Sequence, residues 1–190
     1  HRYYSVGSVA RLPFTETFLA RRPAIILDRD GVLNRKPARA CYVRSWAEWE
    51  WMPGSIESLV ALREAGYRVI VVSNQAGINR RAMTEAELHA IHRRMSKEVT
   101  VAGGHIDAIY FCPHDWDEGC ECRKPKPGML FQAQRDFSLD LTRTWFVGDD
   151  ERDAIAADAA GCRSYLVGPH RPLLPFIQDL LETSFVSTTQ

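Results

Sequence analysis

The chain has 190 residues, 45% of them apolar, with 24 basic and 24 acidic side chains. That length suits one domain able to bury about 70% of its unfolded surface, and the balanced charge leaves no cationic excess to condense on nucleic acid or anionic lipid. No apolar run reaches the roughly 18 residues of a membrane span, and His1-Arg2-Tyr3-Tyr4 lacks a signal-peptide pattern, so the expectation is a soluble, cytoplasmic protein.

In chain order, Ala24 to Leu27 is an unbroken apolar run that predicts a strand covered on both faces. Ala40 to Met52 carries Trp46, Trp49 and Trp51 and is expected to be a flap, packed down by its indoles, over the end of that strand. Pro53-Gly54-Ser55 opens a helix with Ile56, Leu59, Val60 and Leu62 on one side and Gly66 as its stop. Arg68 to Ser73 reads as a second strand. Thr84-Glu85-Ala86-Glu87 is a capping box, followed at helical spacing by Leu88, Ile91, Met95 and Val99.

Ile106 to Phe111 predicts a third strand that delivers Cys112. Pro127 then starts a helix with Met129, Leu130, Ala133 and Phe137 inward, Thr144 to Val147 a strand, and Glu151 to Ala160 a helix ended by Gly161. Cys162 to Val167 makes a last strand and Leu173 to Leu181 a tail helix. Alternation at this spacing implies an α/β, Rossmann-like parallel sheet with helices on both faces, its functional site at the carboxyl ends of the strands.

The residues that carry chemistry fall on those ends. Asp28-Arg29-Asp30-Gly31 closes the first strand with two carboxylates, one placed to attack phosphorus and the other to serve the leaving oxygen as acid and then water as base. Asp-x-Asp-Gly also occurs in plain turns and Ca²⁺ loops. Gly148-Asp149-Asp150 closes a later strand; Asp28, the Asp30 carbonyl and Asp149 suit an Mg²⁺ shell, while Asp149 or Asp150 equally suits a helix cap. Ser73-Asn74 offers a hydroxyl and backbone amides, and Lys124 a positive charge, to a phosphate group.

Cys112-Pro-His114 and Cys120-Glu-Cys122 supply three thiolates and one imidazole, a closed tetrahedral set for a structural Zn²⁺ that would hold Arg123 and Lys124 at the mouth of the site. Thiolate ligation in a reducing compartment fits better than a strained Cys-x-Cys disulfide. Cys41 and Cys162 read as free, partly buried thiols, and His89, His92, His105 and His170 as surface residues.

Taken together, Asp28-Arg-Asp30-Gly-Val-Leu-Asn34, Ser73-Asn74-Gln75, Arg123-Lys124-Pro125 and Gly148-Asp149-Asp150 resemble the haloacid dehalogenase superfamily of phosphatases over about Ala24 to Val167. The cysteine loop narrows the likeness to the group of histidinol phosphatases and heptose bisphosphate phosphatases. Asn34, Gln75 to Arg80 and Lys124 to Met129 bring it nearer the latter.

The resemblance implies a capless fold and a Mg²⁺-dependent phosphatase that takes the 7-phosphate from D-glycero-D-manno-heptose 1,7-bisphosphate. Asp28 would be the nucleophile and Asp30 the acid/base; Ser73, Asn74 and Lys124 would bind phosphate, Arg123 the substrate, and Asp28, Asp30 and Asp149 the Mg²⁺. The alternatives are histidinol phosphate or another small sugar phosphate as substrate, or a catalytically silent zinc-stabilised binding module. Val32 stands where many relatives have threonine, and Asp150, where some have lysine, puts a negative charge near the metal. Tyr42 and Arg44 are implied sugar or distal-phosphate contacts, with Arg35, Lys36, Arg39, Arg80 and Arg81 as further candidates for a distal phosphate. Residues 23–190 form the phosphatase domain. Tyr3 to Leu12 resembles the end of sugar-1-phosphate nucleotidyltransferases, so residues 1–22 are either the remnant of such a fused partner or an extended arm.

Overall fold

A computed structural model describes residues 22–38 and 41–186. The reading of residues 1–22 as an arm or fusion remnant therefore falls, but for its last residue, outside the described residues, as does Arg39. Five strands, β1 (Ala24–Asp28), β2 (Arg68–Asn74), β3 (Ala108–Cys112), β4 (Trp145–Gly148) and β5 (Arg163–Leu166), form one sheet in the order β3-β2-β1-β4-β5. All its pairings are parallel. The helices are α1 (Ser55–Glu64), α2 (Glu85–Val101), α3 (Gly128–Phe137), α4 (Glu151–Ala160) and α5 (Leu173–Val186), with 3₁₀ turns at Trp46–Glu48 and Leu141–Arg143.

Strand periodicity divides β1 between two cores. Ile26 joins Ile70, Val72, Phe146 and the inner faces of α3 and α4, and Ile25 and Leu27 join Val69, Val71, Leu59 and Leu62 of α1, and Met95 and Val99 of α2. Each such aliphatic side chain, fully removed from water, contributes about 1.5–3 kcal/mol. With both faces covered, a site can open only beyond the strand ends. Asp28 and Gly148 end the adjacent strands β1 and β4, and Asn74 ends β2 on the other side of β1.

Local chemistry sets the element boundaries. Thr84 and Glu87 make the expected capping box on α2, and Gly161 ends α4 in the left-handed conformation. The tail helix runs five residues beyond the expected Leu181, to Val186. Trp46, Trp49 and Trp51 pack on one another, with centroids 5.0–6.5 Å apart, and against the α1 and α2 side of the core. Cys41, expected to be partly buried, is exposed, because the flap turns inward only at Val43 and the indoles.

Candidate active site

Four charged side chains meet beyond the ends of β1 and β4. Lys124 Nζ lies 2.9 Å from Asp28 Oδ1 and 2.7 Å from Asp153 Oδ1, and all three are buried. Carboxylate oxygens of Asp28, Asp149 and Asp153 gather within 4.8 Å of one another. Two glycines allow this approach: a Cβ at Gly31 (φ +92°) would collide with Asp149, and one at Gly148 with Asp153.

Burial pushes the Asp28 carboxyl up to about 7 against the pull of Lys124. Burial also works against the Lys124 cation, but Asp28 and Asp153 hold it above the ordinary lysine range. Three carboxylates exceed what this lysine offsets, and oxygen donors in negative excess are what Mg²⁺ requires. The residues present therefore fit that ion.

From sequence, Asp153 belongs to the acidic cluster that follows Gly148, with its role left open. It accepts from the backbone N–H groups of Asp149 and Asp150 through Oδ2, at 3.1 and 3.2 Å, and so closes the α4 capping box begun by Asp150. Its other oxygen is free for Lys124, so a single carboxylate caps the helix and furnishes the cluster. The negative charge of Asp150 is met by Arg152 at 2.9 Å and by Lys36 at 3.4 Å; Lys36 also reaches Asp149 at 2.8 Å.

Asp30 faces a different set of partners. Arg29 Nη2 donates to both its oxygens at 3.0 and 2.9 Å, Asn34 Nδ2 to Oδ1 at 2.9 Å, and Gln75 Nε2 to Oδ2 at 2.8 Å. Ser73 Oγ lies 3.4 Å from the same Oδ2. Burial alone would raise this carboxyl, yet Arg29 and the two amides hold it below the usual range. Asn74 uses its side chain otherwise: Nδ2 donates to the Lys124 carbonyl and Oδ1 accepts from the Lys124 N–H, both at 3.0 Å. That clamp fixes the lysine's backbone to the end of β2.

The cysteine loop brings together Cys112, His114, Cys120 and Cys122, the second group that could hold a metal. Their Sγ and Nδ1 atoms stand 3.2–3.6 Å apart. A disulfide would need about 2.05 Å, whereas a tetrahedron with ~2.3 Å zinc–sulfur bonds has edges of roughly 3.8 Å. The donors thus fit a closed, slightly contracted zinc shell. Arg123 follows Cys122 and donates from Nη1 to the His114 carbonyl at 3.1 Å.

A cleft of about 850 Å³ is lined by Asp28, Asp30, Ser73, Asn74, Arg123, Lys124, Asp149 and Asp153, and by Lys36, Tyr42, Arg80 and Trp116. Arg80 is held by Asp115 of the cysteine loop at 2.6 and 2.7 Å and donates to the Tyr42 hydroxyl at 3.1 Å. Arg44 pairs with Glu48 and Arg35 with Glu50, and these, like Arg81, stand outside the cleft. The surface placement expected for His92 is corrected: the ring is 5% exposed, against Arg29 and Phe111. Its spacing held the signal, since Leu88, Ile91, His92 and Met95 trace one helical face.

A family model described as HAD-hydrolase-like matches residues 121–172. The D-glycero-beta-D-manno-heptose-1,7-bisphosphate 7-phosphatase of Pseudomonas aeruginosa is 44% identical over 146 residues, 77% of this chain and 81% of that protein. The chain belongs to the haloacid dehalogenase phosphatases. The Neisseria meningitidis protein of the same name is 45% identical over 143 residues, 75% of each chain. Among solved structures, the D,D-heptose 1,7-bisphosphate phosphatase of Bordetella bronchiseptica, complexed with magnesium and phosphate, superposes with a TM-score of 0.79 at 37% identity, covering 85% of this chain and 99% of that one. Among the described residues no helix is long and apolar enough to cross a membrane.

Proposed function

We propose that this phosphatase removes the 7-phosphate of D-glycero-D-manno-heptose 1,7-bisphosphate through an aspartyl-phosphate on Asp28. The observation that carries the reading is the buried Asp28, Lys124 and Asp153 contact at the floor of an open cleft, in a chain 44% identical to enzymes named for that reaction. Asp28 attacks phosphorus and the bond to the sugar oxygen breaks, while Asp30 gives that oxygen a proton. Water then attacks the phosphoaspartate, Asp30 takes its proton, and phosphate leaves with the Asp28 carboxylate restored.

Magnesium held by Asp28, Asp149 and Asp153 would draw charge from the phosphoryl oxygens. Lys124 and Ser73 steady the remaining oxygens, and Arg123, Arg80 and Tyr42, which also line the cleft, are left for the sugar. Asp30 is held ionised in the resting site, the form that takes a proton from water. An arriving phosphoryl dianion raises its proton affinity and so favours the acid form for the first step. Zinc on the four loop donors is structural, and its thiolate ligands suit a cytoplasmic enzyme.

The test is Mg²⁺-dependent phosphate release from heptose 1,7-bisphosphate, histidinol phosphate and simple hexose phosphates. The heptose bisphosphate is expected to give the highest kcat/KM; a higher value for histidinol phosphate would overturn the substrate assignment. Cys120→Ser is expected to lower zinc content and, by loosening the loop that carries Lys124, to reduce turnover. Metal analysis beside the kinetic assay checks this, and a full zinc complement in the variant would count against the ligand set.

A further inference from the structure

Arg29 heads the fully buried side chains in volume at 1% exposure, an unusual place for a cation. Two of its nitrogens, Nε at 3.3 Å and Nη2 at 2.9 and 3.0 Å, form a fork on Asp30. The third, Nη1, lies 3.3 Å from Nε2 of His92 on α2, 63 residues further along the chain. The Trp49 ring sits 5.9 Å from the guanidinium carbon.

A guanidinium can only donate. The contact with His92 is therefore a hydrogen bond only when Nε2 carries its lone pair, which makes the ring neutral with its proton on Nδ1. Burial, followed by Arg29 and His89, pushes His92 down to about 3, in keeping with that form. The ring cannot drift: α2 is fixed by its capping box and by Leu88, Ile91 and Met95 in the core, while Phe111 and His89 flank the imidazole.

We propose that His92 is a positioning residue for proton transfer at Asp30. By accepting from Nη1 it occupies the one arm of Arg29 that Asp30 leaves free, which sets the guanidinium plane, and that plane sets both carboxylate oxygens. The inference rests on the reading of Asp30 as the acid/base. Without the acceptor, Nη1 is buried and unpaired, and the fork can relieve this only by turning away from Asp30. The same contact could instead serve only to satisfy a buried arginine, in which case turnover would follow stability alone.

Steady-state kinetics on magnesium- and zinc-replete enzyme separate the two, using His92→Phe, His92→Asn, His92→Gln and, as a reference, Asp30→Asn. Glutamine places an amide oxygen where Nε2 lies; asparagine falls short of Arg29, and phenylalanine fills the space without an acceptor. The Phe and Asn variants are expected to lose about 10- to 100-fold in kcat, as for a small misplacement of a reacting group, with KM within about twofold. Glutamine should restore kcat to within about threefold of the parent. Should the Phe variant not fold, Asn against Gln decides alone.

A kcat within about twofold of the parent in the Asn or Phe variant, or equal losses in Asn and Gln, would overturn the inference, as would failure of all three variants to fold. If Asp30→Asn itself keeps full turnover, the acid/base reading of Asp30 fails first, whatever the His92 variants do.

Discussion

Asp28→Asn is expected to lower phosphate release by on the order of 10⁴-fold or more, as loss of a covalent nucleophile does, while the protein stays folded and keeps its zinc. Its stability should hold or rise. Burial lifts the Asp28 carboxyl from 3.8 to about 7, so the folded metal-free protein binds a proton that the unfolded chain has already released. Across that interval the parent should lose stability as pH rises, because the native state holds the extra proton. Asp28→Asn removes this slope. Melting curves of the metal-free proteins at pH 4 to 8 test the point, and undiminished phosphate release by the variant would refute the nucleophile.

Lys124→Met is expected to fail in both respects. The side chain is 3% exposed and bridges two buried carboxylates at 2.9 and 2.7 Å, so its loss leaves Asp28 and Asp153 without their cation. Breaking a buried pair from one side costs about 3–5 kcal/mol, and a phosphoryl group would lose its nearest positive charge. Denaturant unfolding should therefore show a large fall in the midpoint, along with near-complete loss of turnover. A variant as stable as the parent would mean that the two aspartates do not depend on this lysine. The contrast between the two substitutions is informative: one removes a charge that burial disfavours, the other a charge that makes burial tolerable.

The sheet was legible because its central strands are continuous apolar runs, Ala24 to Leu27 and Val69 to Val72, that both core faces need. Helix starts were legible where side chains replace missing backbone partners, as at Thr84 with Glu87. The site was legible residue by residue where a strand ends in acid, at Asp28 and Asp149. Asp153 was harder, since one oxygen does the ordinary work of a cap and nothing local reveals that the other meets Lys124, 29 positions earlier. Lys36 and His92 were obscured in the same way: each finds its charged partner far along the chain, Asp149 for one and Arg29 for the other. Asn74 read as a phosphate-side donor, yet its amide is taken up by the Lys124 backbone, a contact that depends on how the cysteine loop docks.

That paired contact also makes position 74 intolerant of an acid. Hydrolytic deamidation of Asn74 would turn the donor facing the Lys124 carbonyl into an anionic oxygen, so two acceptors would confront each other at the 3.0 Å where an N–H now bridges them. One neutral side chain in the cleft wall thus holds the lysine's main chain against the end of β2, and a negative charge there would loosen it.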